Sequence, residues 1–271
     1  MRILVTGLLP YDSGKTTFSL SLIRSLSESN VKFFPHKPVA GHNAWYSYST
    51  LIRSEELHVL LGNDALKYYD ETGFNPVEIN PFAVLLSPVD LQKLSFDIRL
   101  YKQLMSEGLP VMVRTYDCTS PQPVHFILHD LDKFVPDTLF DKLKILGNKL
   151  KANKLDLQNM RELIDLSPQI SEKCTLKILS EHENVIIESY NDALAPNLAS
   201  LDVDFLFVIS PGKAFLIEDF KEIIRLFSYP PWLINVSSFI KYSRKIRSFR
   251  IETYSYKLSD DLLDFLLQAL E

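Results

Sequence analysis

Glycine is scarce in this chain, with 8 in 271 residues, so its loops must be shaped largely by Asn, Asp and the 15 prolines. Cysteine is scarcer still. Cys118 and Cys174 form neither a ligand pair nor a disulfide framework, and a reducing, cytoplasmic home is the simplest expectation. No apolar run is long enough to span a bilayer, so no membrane partner is expected. The Met1-Arg2-Ile3-Leu4-Val5 start reads as a strand, because it lacks both the longer apolar segment and the small-residue cleavage site of a signal peptide. Neither sign of charge dominates: 29 Lys and Arg against 34 Asp and Glu leave a net charge of −5, which gives no general reason to expect nucleic acid. The remainder, 46% hydrophobic and 23% charged, is an ordinary globular composition. Its length permits one large α/β domain or two small ones.

Apolar, β-branched runs recur between helical stretches at 2–6, 31–34, 185–188, 203–209 and 233–236. Between them lie helical periodicities, as at Leu216, Phe220, Ile223, Ile224 and Phe227, and Ser259 stands where it would cap a last helix through Leu262, Leu266 and Leu270. Strands alternating with helices predict an α/β fold, a parallel doubly wound sheet flanked by helices, as a single domain over 1–271. One segment breaks the alternation. Residues 111–116 and 124–129 alternate like two strands of a hairpin, and helical stretches follow at 138–151 and 155–166. This predicts an inserted hairpin and helical subdomain over about 108–168.

The most informative stretch is Gly7-Leu8-Leu9-Pro10-Tyr11-Asp12-Ser13-Gly14-Lys15-Thr16-Thr17, which directly follows the first apolar run. After it Phe18, Leu22, Ile23 and Leu26 fall at helical spacing. A strand that feeds a loop into a helix N-terminus at Gly-Lys-Thr makes a triphosphate cradle, with backbone N–H groups and the helix dipole directed at phosphate. Gly7, Ser13, Gly14, Lys15, Thr16 and Thr17 are then the nucleotide-binding residues, with Lys15 on the β and γ oxygens and the Thr16 hydroxyl on Mg²⁺. The loop is irregular. The usual spacing places a glycine where this chain has Leu9, and Pro10 cannot donate an N–H.

Ligands of parallel sheets sit at the C-terminal ends of the strands, so the residues after each run are informative. The second run is followed by Pro35-His36-Lys37-Pro38-Val39-Ala40-Gly41-His42, in which prolines hold Lys37 in extended geometry. His36 and His42 flank it as candidates for substrate contact. Asp64 follows Gly62-Asn63, and Glu188 closes the run at 184–187. Mg²⁺ on a triphosphate needs hard oxygen ligands, and Thr16, Asp64 and Glu188 supply them.

Taken in order, these residues resemble the dethiobiotin synthetase family of P-loop enzymes. That family reads Gly-Thr-Asp-Thr-x-Val-Gly-Lys-Thr, Tyr-Lys-Pro-Val-x-Ser-Gly and Asn-Ser-Asp-Ala-Leu, and this chain has Gly7–Thr16, His36–His42 and Asn63–Leu66 in those places. The family's Val-Asn-Pro-Tyr…Ser-Pro-His looks like Ile79-Asn80-Pro81-Phe82…Ser87-Pro88-Val89. Its Val-Leu-Val-Glu strand end and its Trp-Val-x-Asn look like Val185-Ile186-Ile187-Glu188 and Trp232-Leu233-Ile234-Asn235. The resemblance implies a P-loop NTPase sheet, ATP and Mg²⁺ as cofactors, and Lys15 and Lys37 on phosphate and reacting carboxylate. It further implies Thr16, Asp64 and Glu188 on the metal, Asn235 on the base and Asp12 beside the loop as an acidic catalytic residue. The family's dimers imply a homodimer. The chain also looks like a group of uncharacterised archaeal proteins described as P-loop ATPases or GTPases, whose loop likewise reads Leu-Pro-Tyr-Asp-Ser-Gly-Lys-Thr.

The departures lie on the substrate side. Gly41-His42 stands for the family's Ser-Gly, and Ser189-Tyr190-Asn191-Asp192 for its Gly-Ala-Gly-Gly, so the family's diamino-acid substrate does not carry over. The expectation is an ATP- and Mg²⁺-dependent enzyme that phosphorylates a carboxylate or carbamate of a small molecule. The alternative is a nucleotide-driven switch acting on a protein partner. The GTPase-like letters Asn153-Lys154-Leu155-Asp156 fall in the helical insert without an apolar strand before them. His125 and His129 have the zinc spacing of a helix but sit in a predicted strand without a third ligand. The basic cluster of Lys241, Arg244, Lys245, Arg247 and Arg250 reads as a solvated face.

Overall fold

The computed structural model describes residues 1–252 and 256–270. Eleven strands are named along the described chain: β1 (Arg2–Gly7), β2 (Phe34–His36), β3 (Val39–Asn43), β4 (Phe82–Ser87), β5 (Leu109–Thr115) and β6 (Val124–Leu128), then β7 (Asn153–Leu155), β8 (Val185–Glu188), β9 (Phe205–Ser210), β10 (Lys213–Ile217) and β11 (Ile246–Arg250). They form two sheets, one ordered β11-β10-β9-β1-β8-β2 and the other β3-β4-β5-β6-β7. The chain accordingly divides into two compact units, one of Met1–Pro38, Asp70–Phe74 and Glu172–Glu271, the other of Val39–Tyr69 and Asn75–Ser171. The expected insert at 108–168 lies wholly inside the second unit, which also takes in the chain from Val39.

In the first unit β2, β8, β1 and β9 run parallel, as crossover connections require, and β10 and β11 add antiparallel at one edge. The sheet is therefore mixed and not wholly parallel. The tight Pro211-Gly212 turn, with Gly212 at φ 79°, folds β10 directly back on β9. The helix α1 (Lys15–Glu28) buries Phe18, Leu22, Ile23 and Leu26, the four positions its spacing predicted, and Phe18 meets Phe207 of β9 at 5.5 Å between ring centroids. Ile3, Leu4 and Val5 of the central strand are wholly inaccessible to solvent. The expected strand at 233–236 is absent. Pro231 instead starts a 3₁₀ turn over Pro231–Leu233, and Asn235 caps the short helix Val236–Phe239. The expected helix across 216–227 splits between the end of β10, a single turn at Phe220–Ile223 and a 3₁₀ turn at Ile224–Leu226. Ser259 holds the N-cap position of the helix Asp260–Gln268 without making a side-chain cap bond.

In the second unit β5 and β6 form the expected antiparallel hairpin, with Arg114 opposite His125. β4 runs antiparallel to β5 and parallel to β3. The two helices expected after the hairpin span Asp137–Lys149 and Leu157–Asp165. Residues Asn153–Leu155, expected to lie in the helical insert, form the edge strand β7, which pairs in parallel with β6. Asp156 then caps the following helix through the Asn159 N–H, so its carboxylate serves the fold there. No described helix is long and apolar enough to cross a membrane.

Both cysteines also correct an expectation. Neither Cys118 nor Cys174 is a free thiol; each is disulfide-bonded. Thiol pairing depends on the approach of two Cα atoms in space, which sequence spacing does not report.

Candidate functional site

The predicted strand, loop and helix are all present. β1 ends at Gly7, and α1 begins at Lys15. Gly7 and Gly14 have separate physical reasons. A Cβ at Gly7 would come within 2.3 Å of Ser13 Oγ and 2.8 Å of Lys15 Nζ, so a side chain there would displace the Ser13 hydroxyl and the Lys15 ammonium from over the strand end. Gly14 turns the chain into α1 at φ 91°, a left-handed conformation that side chains resist. Asp12 takes a similar left-handed conformation at φ 55° and stands exposed on the loop, as does Thr17 on the first turn. The helix start has no side-chain cap and no acidic residue in its own first turn, so nothing within the helix satisfies its first amides.

Lys15 is buried and folds back over the loop, donating to the Asn191 carbonyl at 2.6 Å and to Ser13 Oγ at 3.3 Å. Parallel pairing with Val5 of β1 sets Glu188, the last residue of β8, beside this loop. There the Thr16 hydroxyl donates to Glu188 Oε1 at 3.0 Å. Lys37, just past the end of β2, donates to the same carboxylate and at 3.5 Å to the Ser189 carbonyl. The Lys37 and Glu188 side chains are only 5% and 1% exposed, so the pair is shielded from solvent. Lys15, Thr16, Lys37 and Glu188, candidates scattered over more than 170 positions of sequence, thus meet at one end of the first sheet.

The segment after Glu188 is fixed rather than open. Ser189 N–H donates to the Val5 carbonyl, and the hydroxyls of Thr6 and Ser189 both donate to the Ala193 carbonyl at 2.7 Å. Asn191 adopts φ 45°, taking in strained form the turn a glycine would take freely. Beside it, Tyr190 to Ala193 and Trp232 to Asn235 line a cleft. Burial pushes the Tyr190 hydroxyl up to about 12, so it is a neutral hydrogen-bonding group at that wall. Asn235 lies in the same wall with its amide engaged. Its Oδ1 accepts from Ser237 N–H and Oγ–H, and its Nδ2 donates to Asp192.

The two histidines that flank Lys37 in sequence do not behave alike. His36 is fully buried in the first unit against the Thr175 hydroxyl at 3.0 Å, which makes it a core residue and not a surface contact. His42 belongs to the second unit, since the unit boundary follows Pro38. It is buried with no hydrogen-bond partner at either ring nitrogen. Burial, opposed by Asp64 and aided by Arg114, lowers its pKa to about 4, while the Val84 carbonyl raises it without reaching hydrogen-bond geometry. The imidazole is therefore neutral at physiological pH. Asp64, half-buried in the first turn of the Asn63–Thr72 helix, is described within this second unit.

Sequence reading missed Arg114. It is wholly buried in β5, and its only hydrogen bonds among the described residues run from Nη2 to the carbonyl and side-chain oxygens of Asn80. Its Nε and Nη1 have no partner among the described residues. Burial alone lowers its pKa to about 9, so the guanidinium stays charged at neutral pH. A signal was available: one arginine inside the apolar run Val111-Met112-Val113-Arg114. The discounted signals have partners of their own. His125 accepts the Leu60 N–H at 3.2 Å, His129 bonds its neighbour Asp130, and the basic cluster straddles edge strand β11 with Arg247 on Glu218 and Arg250 on Glu252. Among the described residues no group of three His, Cys, Asp or Glu side chains could hold a metal ion unaided.

No family model, curated protein or solved structure matches this chain.

Proposed function

We propose that this chain is an ATP- and Mg²⁺-dependent enzyme resembling dethiobiotin synthetase, which transfers a phosphoryl group to a carboxylate or carbamate of a small molecule. One observation carries the reading: Lys15, Lys37 and the Thr16–Glu188 pair converge at the loop that joins β1 to an uncapped helix. Two ammonium groups, a hydroxyl and a carboxylate around a helix N-terminus are what a transferring phosphoryl group and its metal require.

The donor set fits Mg²⁺, because Thr16 Oγ1 and Glu188 Oε1 are hard oxygens already 3.0 Å apart, and this ion takes one or two protein ligands with the rest from phosphate and water. When bound, the metal would neutralise charge on the phosphate oxygens. Lys15 and the first amides of α1 hold the β and γ phosphates. Lys37, kept in place by Glu188, turns its ammonium to the oxygens that gain charge as the terminal phosphoryl group leaves ADP. The acceptor oxygen forms the new P–O bond as the bond to ADP breaks, giving an acyl or carbamoyl phosphate. Asp12 as a catalytic acid, Asn235 at the base and a homodimer belong to the same proposal.

The test is equilibrium binding of ATP–Mg²⁺ and GTP–Mg²⁺, followed by ADP release in the presence of amines with bicarbonate, or of carboxylates. Binding that favours ATP, weakens at least tenfold in Lys15→Ala and turns over only with an acceptor supports the reading. Unchanged binding in Lys15→Ala, or no ADP with any acceptor pool, overturns it.

A further inference from the structure

A second cluster, inside the second unit, has no part in that reading. Ala40 of β3 pairs with Ala83 of β4, Ala83 with Arg114 of β5, and Arg114 with His125 of β6, so these four side chains share one face of the sheet. His42 is two residues beyond Ala40 and lies on that face too. Ala83 of β4 is the short side chain in the row between Ala40 of β3 and Arg114 of β5. Across this face runs the segment after Val59, whose Leu60 N–H donates to His125 and whose Gly62 would place a Cβ 3.0 Å from His42 Nδ1.

Arg114 and His42 both carry polar atoms that the described protein leaves without partners: Nε and Nη1 of the first, both ring nitrogens of the second. Buried N–H groups are almost always paired, and a buried charge more strictly so. Asn80 supplies Arg114 with neutral oxygens only, and among the described residues burial is the one influence resolved on its charge. A neutral guest would satisfy hydrogen bonds but leave the positive charge uncompensated; an anion does both. We propose that the second unit holds a binding site for a small oxyanion, a carboxylate or phosphate group, whose oxygens accept from Arg114 Nε and Nη1 and whose remaining polar atoms meet the neutral His42 ring. Entry requires the segment around Gly62 to lift, so binding is slower than diffusion.

The experiment is thermal unfolding in chloride-matched buffer with added inorganic phosphate or added succinate, on the wild type, Arg114→Met, His42→Leu and Lys15→Ala. An oxyanion at a hundredfold its Kd should raise the wild-type Tm by about 5–10 °C. Lys15→Ala should keep that rise, which separates this site from the loop of the first unit. Arg114→Met should lose it, and without added oxyanion should melt no lower than the wild type, because it removes an uncompensated charge. His42→Leu should also weaken the rise, and it carries the test should Arg114→Met fail to fold. A rise with phosphate alone assigns a phosphate ligand, and one with succinate alone a carboxylate. The proposal is overturned if neither anion raises the wild-type Tm, if the rise survives in both Arg114→Met and His42→Leu, or if it vanishes in Lys15→Ala.

Discussion

The Lys37–Glu188 pair offers the sharpest test of the first unit. Both side chains are at most 5% exposed, and Glu188 accepts from Thr16 as well as from Lys37. Replacing Lys37 by Met keeps the volume of the stem but leaves the Glu188 carboxylate in a dry site without that ammonium. Breaking a buried pair from one side costs about 3–5 kcal/mol, because the surviving charge keeps its desolvation penalty and loses its partner. For a chain of this size that corresponds to a fall in Tm of about 6–20 °C. Glu188→Gln should also destabilise, and the double variant should recover most of the loss, with a coupling energy of at least about 2 kcal/mol. The assay can be confined to the first unit. Trp232 lies in it and Trp45 in the second, so fluorescence in a Trp45→Phe background reports the unit of interest during urea unfolding. Single variants within about 1 kcal/mol of the wild type, with additive effects in the double, would refute the reasoning; water would then reach the pair and the charges would be solvated.

The depressed histidines give a pH dependence of defined sign. His42 and His125 fall from an ordinary 6.5 to about 4 and about 3, so the unfolded chain binds protons that the folded one refuses between those values. Stability should be full above about pH 6.5 and should fall as the pH drops toward 4, by about 1.4 kcal/mol per pH unit for each histidine. Urea midpoints across pH 4–7.5 test this, and His125→Gln should flatten the slope; an unchanged slope would sink the assignment. For the cysteines, thiol titration of the denatured protein should detect none without reductant and two after reduction, and two from the start would contradict the disulfide-bonded state.

The local pieces of the candidate site were legible because short-range chemistry writes them. An apolar run, Gly7, Gly14 and an amphipathic stretch suffice for β1, the loop and α1, and alternation sufficed for the β5–β6 hairpin. Lys37 and Glu188 were legible as strand-end residues, since a charge closing a buried run has few places to go. Their mutual pairing was not, because it depends on β8 and β2 being neighbours, which is a matter of sheet order. The failures have the same origin. Residues 233–236 are β-branched enough to read as a strand, yet Pro231 and the Asn235 cap turn them into helical turns. Residues 153–155 are too short and polar to signal a strand, and only the open edge of β6 makes them one.

By itself, then, the sequence determined what neighbouring residues decide among themselves: where the chain extends, coils and turns, and which polar side chains end the strands. Tertiary structure alone decided the division into two sheets, the disulfide-bonded state of the cysteines, the withdrawal of His36 into the core and the burial of Arg114 beside Asn80. Each of these requires residues distant in sequence to arrive at one place, and the free energy that brings them there comes from burying whole faces of sheet and helix. That term is collective and leaves little trace in any single stretch of sequence.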